Sequence, residues 1–203
     1  KNDNERLGDI IVLVIGGHET TGFSLAWTLL ELARNQTELR KLRSELQKVL
    51  PENRHKAKQL HFVIKEGLRL HPTAGSMGPC RTIADDMIVK TDGIEPDIII
   101  PKGSSVFCSM YLLLRSEKYY TNPTQFMPSR WENPSEAAKD AFIPFFLGRR
   151  NCVGQSLATS TLHTVIARLC VHYDFTIFDQ GRGTAFFTYK PEKVMLLATK
   201  AAA

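Results

Sequence analysis

Residues 145–158 read FFLGRRNCVGQSLA, and their reading decides the fold. Cys152 stands between Gly148 and Gly154, follows Arg149 and Arg150, and leads into a run that starts a helix. Each neighbour has a physical use. Gly148 and Gly154 permit unusual backbone angles and close approach of the main chain to a flat ligand. The helix start and Arg150 gather positive charge near the sulfur. Phe145 and Phe146 supply an apolar wall. On this stretch alone three uses of the cysteine stay open. It is a buried structural thiol, a nucleophile (although no partner histidine signature is evident), or a soft thiolate ligand for a metal.

The composition is that of an ordinary globular protein: 203 residues, 43% hydrophobic and 23% charged. The net charge is +5, with a basic excess between Arg34 and Lys65. Glu38, Glu45 and Glu52 interrupt that excess and aromatics are few, so no nucleic-acid partner is expected. The four cysteines, Cys80, Cys108, Cys152 and Cys170, form no C-x-x-C pair and no zinc spacing. A reducing compartment follows. The opening KNDNERLGD is polar and lacks the apolar core of a secretion signal. Ile10 to Ala33 comes nearest to a membrane span. His18 and Glu19 beside Gly16 and Gly17 break it, so the expectation is a buried internal helix.

Periodicity predicts four long helices: residues 5–34, buried on most faces, then 36–50, 59–70 and 153–171. Leu39, Leu42, Leu46, Val49 and Leu50 form the stripe of the second, with Asn35 as its N-cap. Pro51 to Lys58 reads as a loop. Ile83 to Val89, Ile98 to Ile100 and Val106 to Leu113 read as short strands, and Tyr173 to Thr199 as strands and turns. Ser116 to Pro144 is a long irregular stretch, and such loops are functional or wrap over something.

Two further groups carry chemistry. Gly16-Gly17-His18-Glu19-Thr20-Thr21 lies inside the first helix, where adjacent glycines cost about 1 kcal/mol each relative to Ala. A Thr20 bond to the Gly16 carbonyl would bend the ladder locally. Glu19 is expensive there unless paired or used. Glu66-Gly67-Leu68-Arg69 places a carboxylate and a guanidinium on one helix face. Taken alone such a pair is a surface salt bridge worth little. Arg130, in Phe126-Met127-Pro128-Ser129-Arg130-Trp131, is positioned to share Glu66 bidentately and fix the irregular stretch.

Together these motifs resemble the cytochrome P-450 family. Phe145-x-x-Gly148-x-Arg150-x-Cys152-x-Gly154 fills every fixed position of its haem-ligand loop. Gly16-Gly17-x-Glu19-Thr20-Thr21 resembles its oxygen-activation motif, Glu66-x-x-Arg69 its charged pair, and Phe126-x-Pro128-x-Arg130 the companion loop. The motifs occur in the family's order. Three positions depart from the usual pattern: Trp131 for Phe, Ser129 for Glu, and Gly67 inside the Glu-Arg helix, where it would weaken the helix.

The resemblance implies a mainly α fold with small β-sheets, of which this chain is the C-terminal part and the N-terminal half is missing. It implies haem held by the Cys152 thiolate, which pushes electron density toward dioxygen. Phe145 would shield the sulfur. Arg150, and Arg81 of Gly78-Pro79-Cys80-Arg81, would contact the propionates. Thr20 and Glu19 would be catalytic, beside the groove at Gly16 and Gly17. Glu66, Arg69 and Arg130 would hold the Cys loop. The implied activity is monooxygenation of a small apolar organic substrate, with electrons from NAD(P)H through a reductase. The implied location is the cytosolic face of the endoplasmic reticulum, through an anchor upstream. The chain alone would bind haem poorly. A haem-thiolate isomerase or lyase, and a non-catalytic truncated product, are the alternatives. Glu19 and Thr20 favour the monooxygenase.

Overall fold

The structure is a computed structural model and describes residues 2–74, 80–91, 94–185 and 188–201. Six α-helices and four two-stranded antiparallel ladders lie among the described residues. The architecture is mainly α with small β-sheets, as the sequence predicts.

Helix α1 (Asp3–Arg34) begins in a capping box. Asn2 accepts the Glu5 N–H at 2.9 Å, and the Glu5 carboxylate takes the Asn2 N–H at 3.1 Å. The helix is unbroken through Gly16 and Gly17, so the expected interruption is absent. Only the side-chain bond forms: the Thr20 hydroxyl donates to the Gly16 carbonyl at 2.6 Å. Ser24 and Thr28 repeat it toward Thr20 and Ser24. Burial also differs from expectation. From Ser24 onward α1 packs on α3 (Lys58–Leu70), α6 (Gln155–His172) and β5 (Tyr173–Asp179), burying Trp27, Leu30 and Leu32. Leu7 to Ile15 instead lie open, with Val12 69% exposed, because no described element covers them. By length and composition α1 could cross a membrane, yet its second half belongs to the core.

Helix α2 (Gln36–Lys48) stops earlier than predicted. Leu39, Leu42 and Leu46 are fully buried, but Leu50 is exposed and outside the stripe. Asn35 occupies the N-cap without capping; its amide donates to the Glu31 carbonyl, closing α1 instead. Pro51–Lys56 forms a 3-10 turn rather than an open loop. The main core joins α2 to Leu60, Val63 and Ile64 of α3 and to Leu162, Ile166 and Cys170 of α6. Arg43 locks the α6 exit, donating to the carbonyls of Cys170 and Tyr173 and to Asp174.

β1 (Cys80–Thr82) pairs with β4 (Ser105–Phe107), and β2 (Met87–Thr91) with β3 (Ile94–Ile100). The predicted strand Val106–Leu113 splits. Ser109 caps a short helix α4 (Met110–Leu113) by accepting the Leu112 N–H. β5 pairs with β8 (Met195–Lys200), bringing the Ala201 N–H onto the His172 carbonyl at 2.9 Å. β6 (Arg182–Ala185) pairs with β7 (Tyr189–Glu192). The irregular stretch 116–144 is shaped by a 3-10 turn at Pro128–Trp131 and by α5 (Glu136–Ala141). It closes a second core of Phe62, Tyr120, Trp131, Ala138 and Ala141.

Candidate functional site

The loop before α6 is a tight hairpin. The Cys152 N–H donates to the Phe145 carbonyl at 2.9 Å, closing an eight-residue loop over a 3-10 turn at Gly148–Arg150. Gly148 has φ +80°, a left-handed conformation that the absence of a Cβ permits. Phe146 adopts φ +63° without that freedom, a local strain of the kind held where a loop must keep one shape. Gly154 caps the helix, and a Cβ there would lie 3.9 Å from the Cys152 sulfur. A side chain at 154 would thus grow against the sulfur itself.

All four cysteines are free, but their surroundings differ. Cys170 is buried in the main core, where burial pushes its thiol up to about 12 and keeps it protonated. Cys152 is half-buried, so its sulfur is reachable. Around it Leu147, Val153 and Leu157 are strongly exposed apolar side chains. Arg149 and Arg150 are exposed and form no ion pair among the described residues. Arg81, in β1, is also exposed and among the described residues donates only to the carbonyl of its neighbour Cys80. Gly78 and Pro79 of its motif lie outside the described residues. Among the described residues no three His, Cys, Asp or Glu side chains converge as metal ligands. A metal at Cys152 would therefore arrive with its other ligands supplied. A reachable lone sulfur, an apolar rim and unpaired guanidiniums fit a flat apolar group bearing a metal and carboxylates.

On α3, Glu66 is fully buried and accepts five hydrogen bonds. Arg69 donates from Nε to Oε2 (3.0 Å) and from Nη2 to Oε1 (2.9 Å). The Met127 N–H and Arg130 Nε reach Oε1, and Trp131 Nε1 reaches Oε2, each at 2.9 Å. Arg69 is also fully buried and spends its remaining donors on the carbonyls of Leu114, Pro123 and Gln125. The pair is therefore no surface salt bridge. Arg130 shares Glu66 through a single bond rather than two; its other nitrogens take the carbonyls of Thr121, Asn122 and Gln125. One carboxylate thus fixes a stretch that has little secondary structure of its own.

Gly67 is explained by a close approach. A Cβ there would overlap the Thr28 hydroxyl, so glycine lets α3 pack directly on α1. The sequence showed only a helix-weakening residue. Trp131 likewise read as an aromatic exchange, although a buried indole N–H needs a partner and Glu66 provides it.

Thr20 is half-buried and Glu19 is exposed, both on α1. Glu19 Oε2 accepts the hydroxyl of Thr188, a residue the sequence did not single out, at 3.0 Å. His18 and Glu19 line a cleft of about 640 Å³ between α1 and the turn from β7 to β8. Helix α1, which carries Thr20, packs against α6, which begins just after Cys152.

Fold and site define a helical protein that holds one of its free thiols, Cys152, in a backbone-closed loop just before a helix. The chain belongs to the cytochrome P450 family, whose model matches residues 2–201. It is 34% identical over 181 residues to a tryprostatin B 6-hydroxylase of Aspergillus fumigatus, covering 84% of this chain and 31% of the relative. It is 33% identical over 175 residues to an ent-isokaurene C2/C3-hydroxylase of Oryza sativa subsp. japonica, covering 81% and 33%. An iridoid oxidase of Catharanthus roseus is 33% identical over 197 residues, covering 92% and 35%. The chain spans about a third of the length of these relatives.

Proposed function

We propose that this chain supplies the haem-thiolate half-site of a cytochrome P450 monooxygenase. The observation that carries the reading is the Cys152 loop: a free, half-buried thiol held by the Cys152–Phe145 backbone bond. Its apolar rim and unpaired arginines complete the setting. In this reading Cys152 ligates the iron, Phe145 and the loop backbone shield the sulfur, and Arg150 and Arg81 receive the propionates. When bound, a thiolate-ligated haem activates dioxygen for insertion of one oxygen atom into an organic substrate. The chain's own contribution is placement. Gly148 and Gly154 keep the loop close to a flat ligand. Glu66, Arg69 and Arg130 keep the loop's base from moving, and Thr20 and Glu19 hold and pass protons on the α1 side. Electrons would come from NAD(P)H through a reductase, and the complete protein would sit at the endoplasmic-reticulum membrane, as family resemblance implies.

The presence of both Glu19 and Thr20 favours monooxygenation over isomerase or lyase chemistry on the same cofactor. The test uses the complete protein that carries this chain. Cys152→Ser should abolish the red-shifted carbon monoxide spectrum of the reduced haem, while Cys108→Ser should leave it unchanged. A thiolate-type spectrum that survives in Cys152→Ser overturns the ligand assignment. Product formation without NAD(P)H and reductase would favour the isomerase reading.

A further inference from the structure

We propose that Thr188 is a positioning residue for the Glu19 carboxylate, and that Trp27 and Thr73 hold Thr188 in place. Three bonds converge on two consecutive residues. The Tyr189 N–H donates to the Thr73 carbonyl at 2.7 Å. The Trp27 indole N–H donates to the Tyr189 carbonyl at 3.2 Å. The Thr188 hydroxyl donates to Glu19 Oε2 at 3.0 Å. Both backbone groups of Tyr189 are thus tied, one to the segment leaving α3 and one to α1. The ring is tied as well, stacked on Trp27 at 5.0 Å and 9°. Trp27 in turn stacks on His71 at 4.2 Å and 1°. A residue next to such a staple cannot swing freely. Thr188 is itself buried.

The consequence falls on Glu19. A carboxylate on an exposed helix position normally samples several rotamers. Here one oxygen is held by a buried donor. Oε1 makes no hydrogen bond among the described residues, and Glu19 lines the cleft. That division suits a proton relay. Oε2 stays anchored while Oε1 is left to exchange a proton with solvent in the cleft. What Glu19 does chemically rests on the monooxygenase reading; the contact that orients it does not.

The experiment has two readouts. In this chain, labelled at glutamate, the Glu19 carboxyl carbon resonance should move in Thr188→Val and return in Thr188→Ser. In the complete haem-loaded protein, Thr188→Val should retain the thiolate-type carbon monoxide spectrum and substrate KM within about 2-fold. The share of electrons recovered in product rather than peroxide should fall about 3- to 10-fold, a part of the roughly 10²–10⁴-fold that a general acid–base group supplies. Thr188→Ser should restore it. Thr188→Val added to Glu19→Gln should change coupling no further, since one residue acts through the other. An unmoved carbon resonance, or additive effects in the double variant, overturns the proposal. So does a raised KM at normal coupling, which would make Thr188 a substrate contact. If Thr188→Val fails to fold, Trp27→Phe tests the same staple by removing the bond to Tyr189, and unchanged coupling there overturns it. Survival of the thiolate spectrum in Cys152→Ser would instead defeat the proposed function, and the carbon resonance would still report the contact.

Discussion

Replacing Glu66 by Gln is the sharpest test of how the stretch around Arg130 is held to α3. The substitution keeps size and shape but removes one charge and one acceptor. Five donors point at the carboxylate, two at Oε2 and three at Oε1. A glutamine presents one oxygen and one NH2, so at least two donors must face another donor. Arg69, fully buried, would lose its counter-charge. Breaking a buried ion pair by removing one partner costs about 3–5 kcal/mol, against about 5–15 kcal/mol for total stability. For a chain of this length that lowers the melting midpoint by roughly 6–20 °C. The assay is urea and thermal unfolding of the chain, followed by circular dichroism. Lys41→Ala serves as the control, since it breaks only an exposed pair with Glu38; its midpoint should stay at that of the unaltered chain. A loss below about 1 kcal/mol in Glu66→Gln would refute the reasoning, because it would place the group in water.

Two other outcomes follow from the same packing. Gly67→Ala should destabilise by about 1–3 kcal/mol, the cost of overpacking, and Thr28→Ala should recover part of it by making room; an unfolding curve with no change removes the close approach. Stability should also fall in acid. Burial holds His71 below its usual 6.5, although the Glu31 bond and charge pull the other way. The unfolded chain then takes up a proton that the folded chain refuses, so stability is full above about pH 6.5 and declines below it. Glu31 adds a later loss. Burial pushes its carboxyl up, but the bond and charge of His71 and the charge of Arg34 together hold it below 4.5, so its contribution goes as pH falls through that value. His61, held low by burial and by Lys65, acts in the first direction too. Urea titrations from pH 8 to 4 should show the decline, and His71→Gln should flatten its first part; a slope unchanged by that variant points to other groups.

The helices were legible because burial writes a period into sequence: Leu39, Leu42 and Leu46 repeat at helical spacing and are buried. The family motifs were legible as local strings. Three kinds of feature were not. Val106 to Leu113 is a short apolar run, which suits a strand or a helix equally, and the Ser109 cap decided it locally. Burial on the first half of α1 depends on what packs there, which the helix's own residues do not state. Contacts distant in sequence carry no local pattern. The spacing of Glu66 and Arg69 gave the pair, but not that it is dry or that Trp131 completes it. Gly67 faces Thr28, and Thr188 meets Glu19 across most of the chain; neither partner signals the other.

The seam between β5 and β8 has a practical use. It returns Ala201 to the foot of α6, where its N–H meets the His172 carbonyl. Helix α6 has 18 residues, a rod of about 27 Å with Cys152 just beyond its other end. A fluorophore attached at position 201 would therefore stand a helix length from the sulfur, clear of any ligand there. The pair of positions forms a built-in ruler against which energy transfer to a light-absorbing group bound at Cys152 can be calibrated.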